Sequence, residues 1–537
     1  MVQIPGSDVI GLVGAMVRAG IIAPMRPDKY LRVMAAGARE GRSVTSGFAM
    51  SAQRAPDRVG LIDEIGELTF AEIDSRANAF AAALQDLGAE TVGIMCRNHR
   101  GFVDALIAAN RIGANVLLLN TSFAGPALAE VVDREGVDVL IYDEEFTATV
   151  DRAAQDRPQA KRIVAWTDDP AAHQVTVEAL IDANAGRRPQ AAESTGRLIL
   201  LTSGTTGTPK GAKHSGGGLG ELRAILERVP WHTDETVVVA APMFHAWGFS
   251  QLVFAASMAC TVVTRRRFDP EATLELVDRH AARGLCVVPV MFDRIMDLPG
   301  EVLARYSGRS LRFATASGSR MRPDVVIRFM DKFGDIIYNN YNATEAGMIA
   351  TATPADLRVA PDTAGKPAVG TEVRILDAEH RPVPLGQVGQ IFVRNGSQFD
   401  GYTGGGGKEF HDGFMASGDL GRMDADGRLF VIGRDDEMIV SGGENVYPIE
   451  VEKVLVNHPE VAEAGVIGVD DEQYGQRLVA FVVPAEGGSV TPDELKAYVR
   501  ENLANYKVPR AVIVLDELPR NSTGKIVRRE LQQLAEG

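Results

Sequence analysis

The chain has 537 residues, 45% hydrophobic and 24% charged, a balance that excludes disorder and fibrous structure and leaves room for about two to four domains. A net charge of −15 opposes non-specific binding to nucleic acid or to anionic lipid, because either polyanion is repelled by the average surface. Three widely spaced cysteines, Cys96, Cys260 and Cys286, build neither a disulfide framework nor a CxxC metal site, so a reducing, cytoplasmic setting is the default. Residues 9–23 are apolar except for Arg18, yet they fall short of the roughly 20 apolar residues a bilayer span takes. Asp8 stands where a signal peptide carries basic residues. This stretch reads as a helix that packs on the body of the protein or makes peripheral membrane contact.

Residues 59–145 alternate strand-like and helix-like segments. Strands at 61–63 and 68–70 flank a turn at Ile65-Gly66, a helix follows over 71–87 with apolar positions at Ile73, Ala77, Phe80, Ala81 and Leu84, then come a strand at 92–95, a helix at 102–112 and a strand at 114–119. Such alternation predicts mostly parallel sheets covered by helices. No G-x-G-x-x-G opens these helices, and residues 168–195 read as a polar surface connection. Residues 198–201 are a short buried strand. The ten positions after it, Thr202 to Gly211, hold hydroxyls, glycines, a proline and Lys210, which cannot fill a core but can wrap an anion with backbone N–H groups. Gly204 and Gly207 do not give the spacing of a P-loop.

Residues 237–241 form a strand that breaks at Pro242 into an aromatic turn carrying His245 and Trp247. Arg265, Arg266 and Arg267 read as a solvated strand end. Further strands at 285–290 and 311–316 follow, the second running into Ser317-Gly318. Residues 337–345 end in Tyr341-Asn342-Ala343-Thr344-Glu345. There an aromatic ring can stack on a purine, a hydroxyl can donate to a phosphate and a carboxylate can hold Mg²⁺. Taken alone, Thr344-Glu345 reads better as a helix start, since threonine caps well. Residues 365–432 show short alternating strands separated by turns, a small antiparallel barrel or sheet, with Ser417-Gly418-Asp419-Leu420 inside it. A charged pause at 433–437 precedes a compact α+β segment over 438–537. It contains a turn at 441–445, helices at 448–458 and 492–503, strands at 462–469, 478–483 and 511–515, and near its end Pro519-Arg520-Asn521-Ser522-Thr523-Gly524-Lys525-Ile526.

Five of these motifs, in this order, resemble those of the adenylate-forming (AMP-binding) superfamily: the Thr202–Gly211 loop, the Pro242–His245 segment, Tyr341–Glu345, Ser417–Leu420 and the segment ending in Lys525. The resemblance covers the chain beyond about residue 45 and points to the fatty acyl-CoA synthetase branch. It implies an α/β fold with a large N-terminal domain of helix-covered parallel sheets plus a small β-barrel, and a small mobile α+β C-terminal domain. The expected boundaries are 1–432 for the N-terminal domain (46–364 α/β, 365–432 barrel), 433–437 for the hinge and 438–537 for the C-terminal lid.

The same resemblance assigns roles. Thr202, Ser203, Gly204, Thr205, Thr206, Gly207 and Lys210 would cradle phosphates. Ser317 and Gly318 would lie along the adenine, where the family usually carries Gly-Gly-Ala-Pro, and Tyr341 would stack on it. Thr344 would meet the α-phosphate, Glu345 would carry magnesium and His245 would stand beside the substrate carboxylate. Asp419, a carboxylate able to take two donors at once, would hold both ribose hydroxyls together with Arg434. Asp436 would be the hinge, Gly442, Gly443 and Glu444 would face a pantetheine tunnel, and Lys525 would be the adenylation lysine. Asn342 replaces the family's usual glycine, and asparagine also tolerates positive φ.

The implied reaction is a two-step ligation: Mg·ATP and a carboxylate give an acyl-adenylate, which CoA converts to a thioester with release of AMP. Trp247-Gly248-Phe249 stands where amino-acid-activating relatives carry an aspartate, so an amino acid is disfavoured. The apolar stretch 243–249 with 318–321 and Met348 suggests a fatty acid, with Arg320 available to a polar tail. An aryl acid, a fatty acyl-AMP ligase serving a carrier protein and a catalytically silent nucleotide or lipid binder are the alternatives. A homodimer is neither implied nor excluded.

Overall fold

The computed structural model describes the chain except residues 1–5, 42, 124, 156, 170–174, 193, 203–209, 213–218, 399–406, 435–438, 442–443, 472–474, 504–506, 522–523 and 537. Two compact units are formed, one by Met1–Asp362, Ala368–Gly370 and Asn395–Gly407, the other by Thr363–Pro367, Thr371–Arg394 and Lys408–Gly537.

The first unit holds two helix-covered sheets. One is six-stranded, in the order Lys161–Trp166, Val139–Asp143, Thr91–Met95, Asn115–Leu118, Leu198–Thr202 and Lys210–Ala212, parallel throughout except for its last pair. The other runs Gly347–Ala352, Ile337–Ala343, Phe313–Ala316, Gly284–Val287, Thr236–Val239, Thr261–Val263, Val59–Asp63 and Gly66–Thr69. It is parallel between Ile337–Ala343 and Val59–Asp63, with an antiparallel hairpin at each of these ends. The predicted alternation is therefore present, since central strands such as Thr91–Met95 are buried along their whole length and need helices on both faces.

The helix Phe70–Asp86 starts where a Thr69–Glu72 capping box satisfies two free N–H groups, and buries Phe70, Ile73, Ala77, Phe80 and Leu84. The predicted apolar helix of residues 9–23 is shorter, Gly6–Arg18. The chain leaves it through paired bonds from Gly20 N–H to Val17 O and Ile21 N–H to Met16 O, with Gly20 at φ +77. A second helix, Pro27–Glu40, follows. The supposed polar connection over 168–195 contains a helix, Val177–Ala183, capped by the Thr176 hydroxyl and anchored by buried Val177 and Ile181. Among the described residues no helix is long and apolar enough to cross a membrane.

In the second unit, Glu372–Leu376, Gly389–Arg394, Phe410–His411, Phe414–Met423 and Leu429–Arg434 form one antiparallel sheet. Strands Ile439–Ser441, Glu444–Val446, Val461–Asp471, Gly475–Pro484 and Ala511–Val514 form another, with helices Pro448–Val456, Pro492–Asn502 and Arg528–Glu536. The last of these helices is absent from the sequence reading. Its mean composition is polar, and only Leu531 is fully buried.

The two sheets of the first unit meet along a polar seam. Arg100, at the start of helix Arg100–Arg111, donates through Nε and Nη2 to both oxygens of Asp63 at 2.6–3.2 Å, and Asp63 ends the strand Val59–Asp63. Both residues are buried. Burial alone would raise the Asp63 carboxyl, but the Arg100 hydrogen bonds and charge hold it below the ordinary aspartate value of 3.8. Because the folded value is the lower one, this contribution to stability is complete above pH 3.8 and is lost as the pH falls through the lowered value. Asp63→Asn strands a buried guanidinium and is expected to cost about 3–5 kcal/mol at neutral pH. Urea unfolding at neutral pH and again below pH 3.8 checks this: the gap between wild type and variant should be wide at the first and narrower at the second.

Candidate functional site

Parallel sheets bind ligands beyond the carboxyl ends of their strands, and there the first unit gathers most of the polar residues singled out above. Strand Ile337–Ala343 pairs with Phe313–Ala316 on one side and turns back into Gly347–Ala352 on the other. The turn carries Thr344 and Glu345, both half-buried, and is closed by Ala346 N–H to Ala343 O at 3.1 Å with Gly347 at φ +63. The Thr-Glu pair thus sits on a hairpin turn rather than at a helix start. Asn342 does not take a positive φ either. A bulge between Tyr341 and Asn342 absorbs the geometry, and Gly347 supplies the left-handed residue.

Ser317 follows the neighbouring strand and is buried at 3% exposure, with Gly318 exposed at φ +105. Asn342 Nδ2 donates to the Ser317 hydroxyl at 3.3 Å, and the buried Asn340 amide donates to Thr315 Oγ1 at 2.7 Å and to the Ala316 carbonyl at 3.2 Å. Thr351 Oγ1 in turn donates to Asn340 Oδ1 at 3.0 Å. Ser317 and the end of the strand Phe313–Ala316 are thus tied by asparagine side chains to the strand Ile337–Ala343, whose hairpin carries Tyr341, Thr344 and Glu345.

His245 lies beyond the strand Thr236–Val239. The predicted aromatic turn is shorter than expected, because a helix, Ala246–Ser257, begins immediately after His245, whose own carbonyl accepts from Phe249 N–H at 2.9 Å. Gly248 is needed there: a Cβ would stand 2.2 Å from the Pro242 carbonyl oxygen. Met243, Phe244 and Phe249 are buried in the main core, and Met321 and Met348 in others, so much of the predicted acyl pocket stretch is packing. Trp247 is half-buried, its indole N–H fixed on the Val287 carbonyl at 2.8 Å, and Arg320 is exposed.

A residue absent from the sequence reading braces this turn. Asn98, 4% exposed, donates from Nδ2 to the Ala241 carbonyl at 2.9 Å and accepts from Met243 N–H at 2.8 Å through Oδ1. Its signal in the sequence is a run of polar residues, Arg97-Asn98-His99-Arg100, directly after the apolar strand Thr91–Met95.

Thr202 and Lys210 are cross-strand partners at the base of the predicted phosphate loop, while Ser203, Gly204, Thr205, Thr206 and Gly207 lie outside the described residues. In the second unit, Asp419 lies within the strand Phe414–Met423 with Arg434 as its cross-strand partner. The buried Ser417 hydroxyl accepts from Asp419 N–H at 3.1 Å, and Lys408 Nζ donates to the Ser417 carbonyl at 3.1 Å. Gly433 and Arg434, read as part of a charged pause, are still paired in the sheet. Asp436, Gly442 and Gly443 lie outside the described residues, and Glu444 opens the strand Glu444–Val446. Lys525 is exposed on a turn in which its N–H donates to Asn521 Oδ1 at 2.9 Å and its carbonyl accepts from Asn521 N–H at 2.9 Å. Arg520 grips the same turn, donating to the Gly524 carbonyl at 2.6 Å and to Glu463 at 2.7 Å.

Other chemistry is spent on structure. Burial pushes all three thiols up, Cys260 to about 12, so none is a nucleophile near neutral pH. Cys96, His99 and Asp143 converge within 4.8 Å. His99 Nδ1, however, accepts from Gly101 N–H at 3.0 Å, which leaves its proton on Nε2, donated to Asp143 at 2.8 Å. The imidazole is a helix cap and not a ready metal ligand. Arg266 and Arg267, with Arg97, close on Glu145 at 2.7–2.9 Å. Burial would raise this carboxyl, but Arg97 and then Arg267 bring it to about 2. The arginine run is thus tied into an ion network rather than left as a solvated strand end. A cavity of about 390 Å³ lined by Arg32, Gln53, Asp74, Ser75, Asn78 and Arg187 includes none of the candidate residues.

A family profile described as AMP-binding enzyme matches residues 48–403, and one described as AMP-binding enzyme C-terminal domain matches residues 450–525. The chain is similar to an indoleacetate–CoA ligase of Aromatoleum aromaticum, 32% identical over 87% of this chain and 93% of that protein. It is also similar to a feruloyl-CoA synthase of an Amycolatopsis species, 32% identical over 87% and 94%. Among solved structures, the o-succinylbenzoate CoA synthetase of Bacillus subtilis, in complex with its acyl-adenylate intermediate, superposes with a TM-score of 0.75 at 28% identity over 90% of this chain and 97% of that one.

Asn98→Ala leaves the Met243 N–H and the Ala241 carbonyl buried without their partner, an expected cost of about 1–3 kcal/mol for each group. Denaturant unfolding measures the total. Amide hydrogen exchange supplies the local readout: Met243 should lose protection while the strand Val139–Asp143 keeps its own.

Proposed function

Because the chain belongs to the AMP-binding enzyme family, we propose that it is an ATP-dependent ligase that activates an aromatic carboxylic acid as its acyl-adenylate and transfers it to CoA. One observation carries the choice of acid. Relatives that match over nearly their whole length bear the names of CoA ligases for indoleacetate, ferulate and 2-succinylbenzoate, all of them aryl acids. The fatty acid expected from the apolar stretch 243–249 gives way to this reading, which is also supported by the anchored, half-buried Trp247 beside His245.

In the first step a carboxylate oxygen bonds to the α-phosphorus of ATP and pyrophosphate leaves. Both reactants are anionic, so catalysis comes from positioning and from cations placed where charge develops. Lys525 is the cation that bridges carboxylate and α-phosphate, and the Thr202–Gly211 loop with Lys210 holds the departing pyrophosphate. Tyr341 stacks on the adenine along Ser317-Gly318, Asp419 and Arg434 hold the ribose, and His245 flanks the carboxylate. Thr344 and Glu345 present a hydroxyl and a carboxylate on one turn, hard oxygen donors that suit Mg²⁺, with Glu345 as its protein ligand. Bound there, the ion would offset charge on the phosphates.

In the second step the CoA sulfur bonds to the acyl carbon and AMP leaves with the electron pair of the broken C–O bond. Lys525 must then vacate the phosphate, which is the role proposed for a hinge at Asp436 within 433–437, between an N-terminal domain of 1–432 (46–364 and 365–432) and a lid of 438–537. Gly442, Gly443 and Glu444 are the residues proposed to meet the pantetheine arm.

Two measurements test the reading. A panel of indole-3-acetate, ferulate, 2-succinylbenzoate, benzoate and saturated fatty acids, assayed for AMP release with and without CoA, should show CoA-dependent turnover highest on an aromatic acid. A fatty acid in first place would overturn the choice of acid, and turnover indifferent to CoA would overturn the acceptor. Lys525→Ala should lower ATP–pyrophosphate exchange by about 10²–10³-fold while a preformed aryl-adenylate still reacts with CoA. Exchange at the wild-type rate sinks the assignment of Lys525.

A further inference from the structure

Residues 6–40 stand outside the segment matched to the family, which begins at residue 48. They form two helices, Gly6–Arg18 and Pro27–Glu40, each with one face turned inward. Leu12, Ala15 and Ala19 are buried from the first and its exit, and Ala36 from the second. The outward faces are unusual. Ile10, Val13 and Val17, spaced i, i+3, i+7 on the first helix, are 76%, 44% and 52% exposed, and Leu31 and Met34 on the second are 70% and 69% exposed. With Ile22 between them at 41%, these six make up a large share of the fifteen exposed large apolar side chains among the described residues, all within 25 positions of the chain. Such density on a surface marks something that covers it.

The charge around this face says what covers it. Residues 1–47 contain six basic and three acidic residues in a chain whose net charge is −15. Arg18, Arg26, Arg32 and Arg39 are exposed beside the apolar positions. Asp28 is shared between Arg26 and Arg32 at 3.0 and 3.1 Å, and Glu40 points inward to Arg111 at 3.2 Å. A two-fold dimer through this face would bring the same arginines against one another. A sheet of anionic headgroups over an apolar interior matches both the cations and the apolar side chains, and the acidic remainder of the surface would be held away from it.

We propose that the outward face of helices Gly6–Arg18 and Pro27–Glu40 docks on the surface of an anionic lipid bilayer, the apolar side chains entering the headgroup boundary and the arginines pairing with lipid phosphates. The docking is peripheral, and it does not rest on the ligase reading.

Co-sedimentation of the full chain with phosphatidylcholine vesicles, with and without phosphatidylglycerol and at low and high salt, tests it. The wild type should pellet with the anionic vesicles at low salt and be released by high salt. Ile10→Ser/Leu31→Ser/Met34→Ser should weaken binding by about tenfold or more, since each of these side chains is about seven-tenths exposed and loses little packing. Arg26→Gln/Arg32→Gln, which leaves the apolar face intact, should weaken it by about tenfold and flatten the salt dependence. Val359→Ser, at an exposed apolar position elsewhere, should bind as the wild type does. A wild type that stays in the supernatant with anionic vesicles at low salt overturns the proposal, as does a triple variant that pellets as well as the wild type. So does light scattering that finds a wild-type dimer split by the triple change, because a second copy would then be the occupant.

Discussion

The first unit depends on the short polar run that leaves the strand Thr91–Met95. Two mainly parallel sheets cannot merge their hydrogen-bond ladders, and apolar packing alone would let their edges slide. Arg97 to Arg100 prevents this with directional bonds. Arg97 N–H and His99 Nε2 reach Asp143 on the neighbouring strand of the same sheet, while Asn98 and Arg100 reach across to Ala241, Met243 and Asp63 of the other. Every one of these groups is buried or nearly so, and each would be costly if unpaired. The relative position of the sheets is thus set by polar geometry within an apolar core.

That seam has a consequence for the candidate site, because the turn before His245 hangs from Asn98. Asparagine recurs in this role. Asn340 and Asn342 hold the end of the strand that leads into Ser317, and the Asn521 side chain takes the Lys525 N–H while its backbone N–H takes the Lys525 carbonyl. A primary amide is the smallest neutral side chain with a donor and an acceptor at one point, so it can close both ends of a turn without bringing a charge near an anionic ligand. A carboxylate in the same places would satisfy the N–H groups but repel phosphate and carboxylate alike.

Much of this was legible in the sequence where local and global signals agree. The helix Phe70–Asp86 combines a capping box with unbroken 3.6-residue spacing, and the alternation around it led directly to parallel sheets. Tyr341, Thr344 and Glu345 are legible as a motif, but their backbone is not. Asn342 was expected at positive φ, whereas Gly347 carries it, because a bulge shifts the left-handed residue past the turn. The helix Val177–Ala183 was missed since seven residues give barely two turns of periodicity. The seam was missed for a different reason: Asp63 and Arg100 are 37 residues apart, and nothing local distinguishes a buried ion pair from two surface charges. The acyl-pocket stretch was the least legible feature, because Met243, Phe244 and Phe249 look like a pocket lining in sequence and are core in space.

The inertness of the buried titratable groups narrows what kind of catalyst this fold can be. The thiols stay protonated, and His99 is locked as a helix cap. Asp63 and Glu145 are held ionised by arginines with which they also form the architecture. Each of them is committed to a structural contact. The candidate residues at the strand ends and on the Lys525 turn bring hydroxyls, amides, an imidazole, a lysine cation and the Glu345 carboxylate suited to Mg²⁺, groups that orient anions and disperse their charge. A reaction whose difficulty is the meeting of two anions asks for that inventory and for no covalent nucleophile, so the chemistry proposed for the site and the silence of the core are two sides of one constraint.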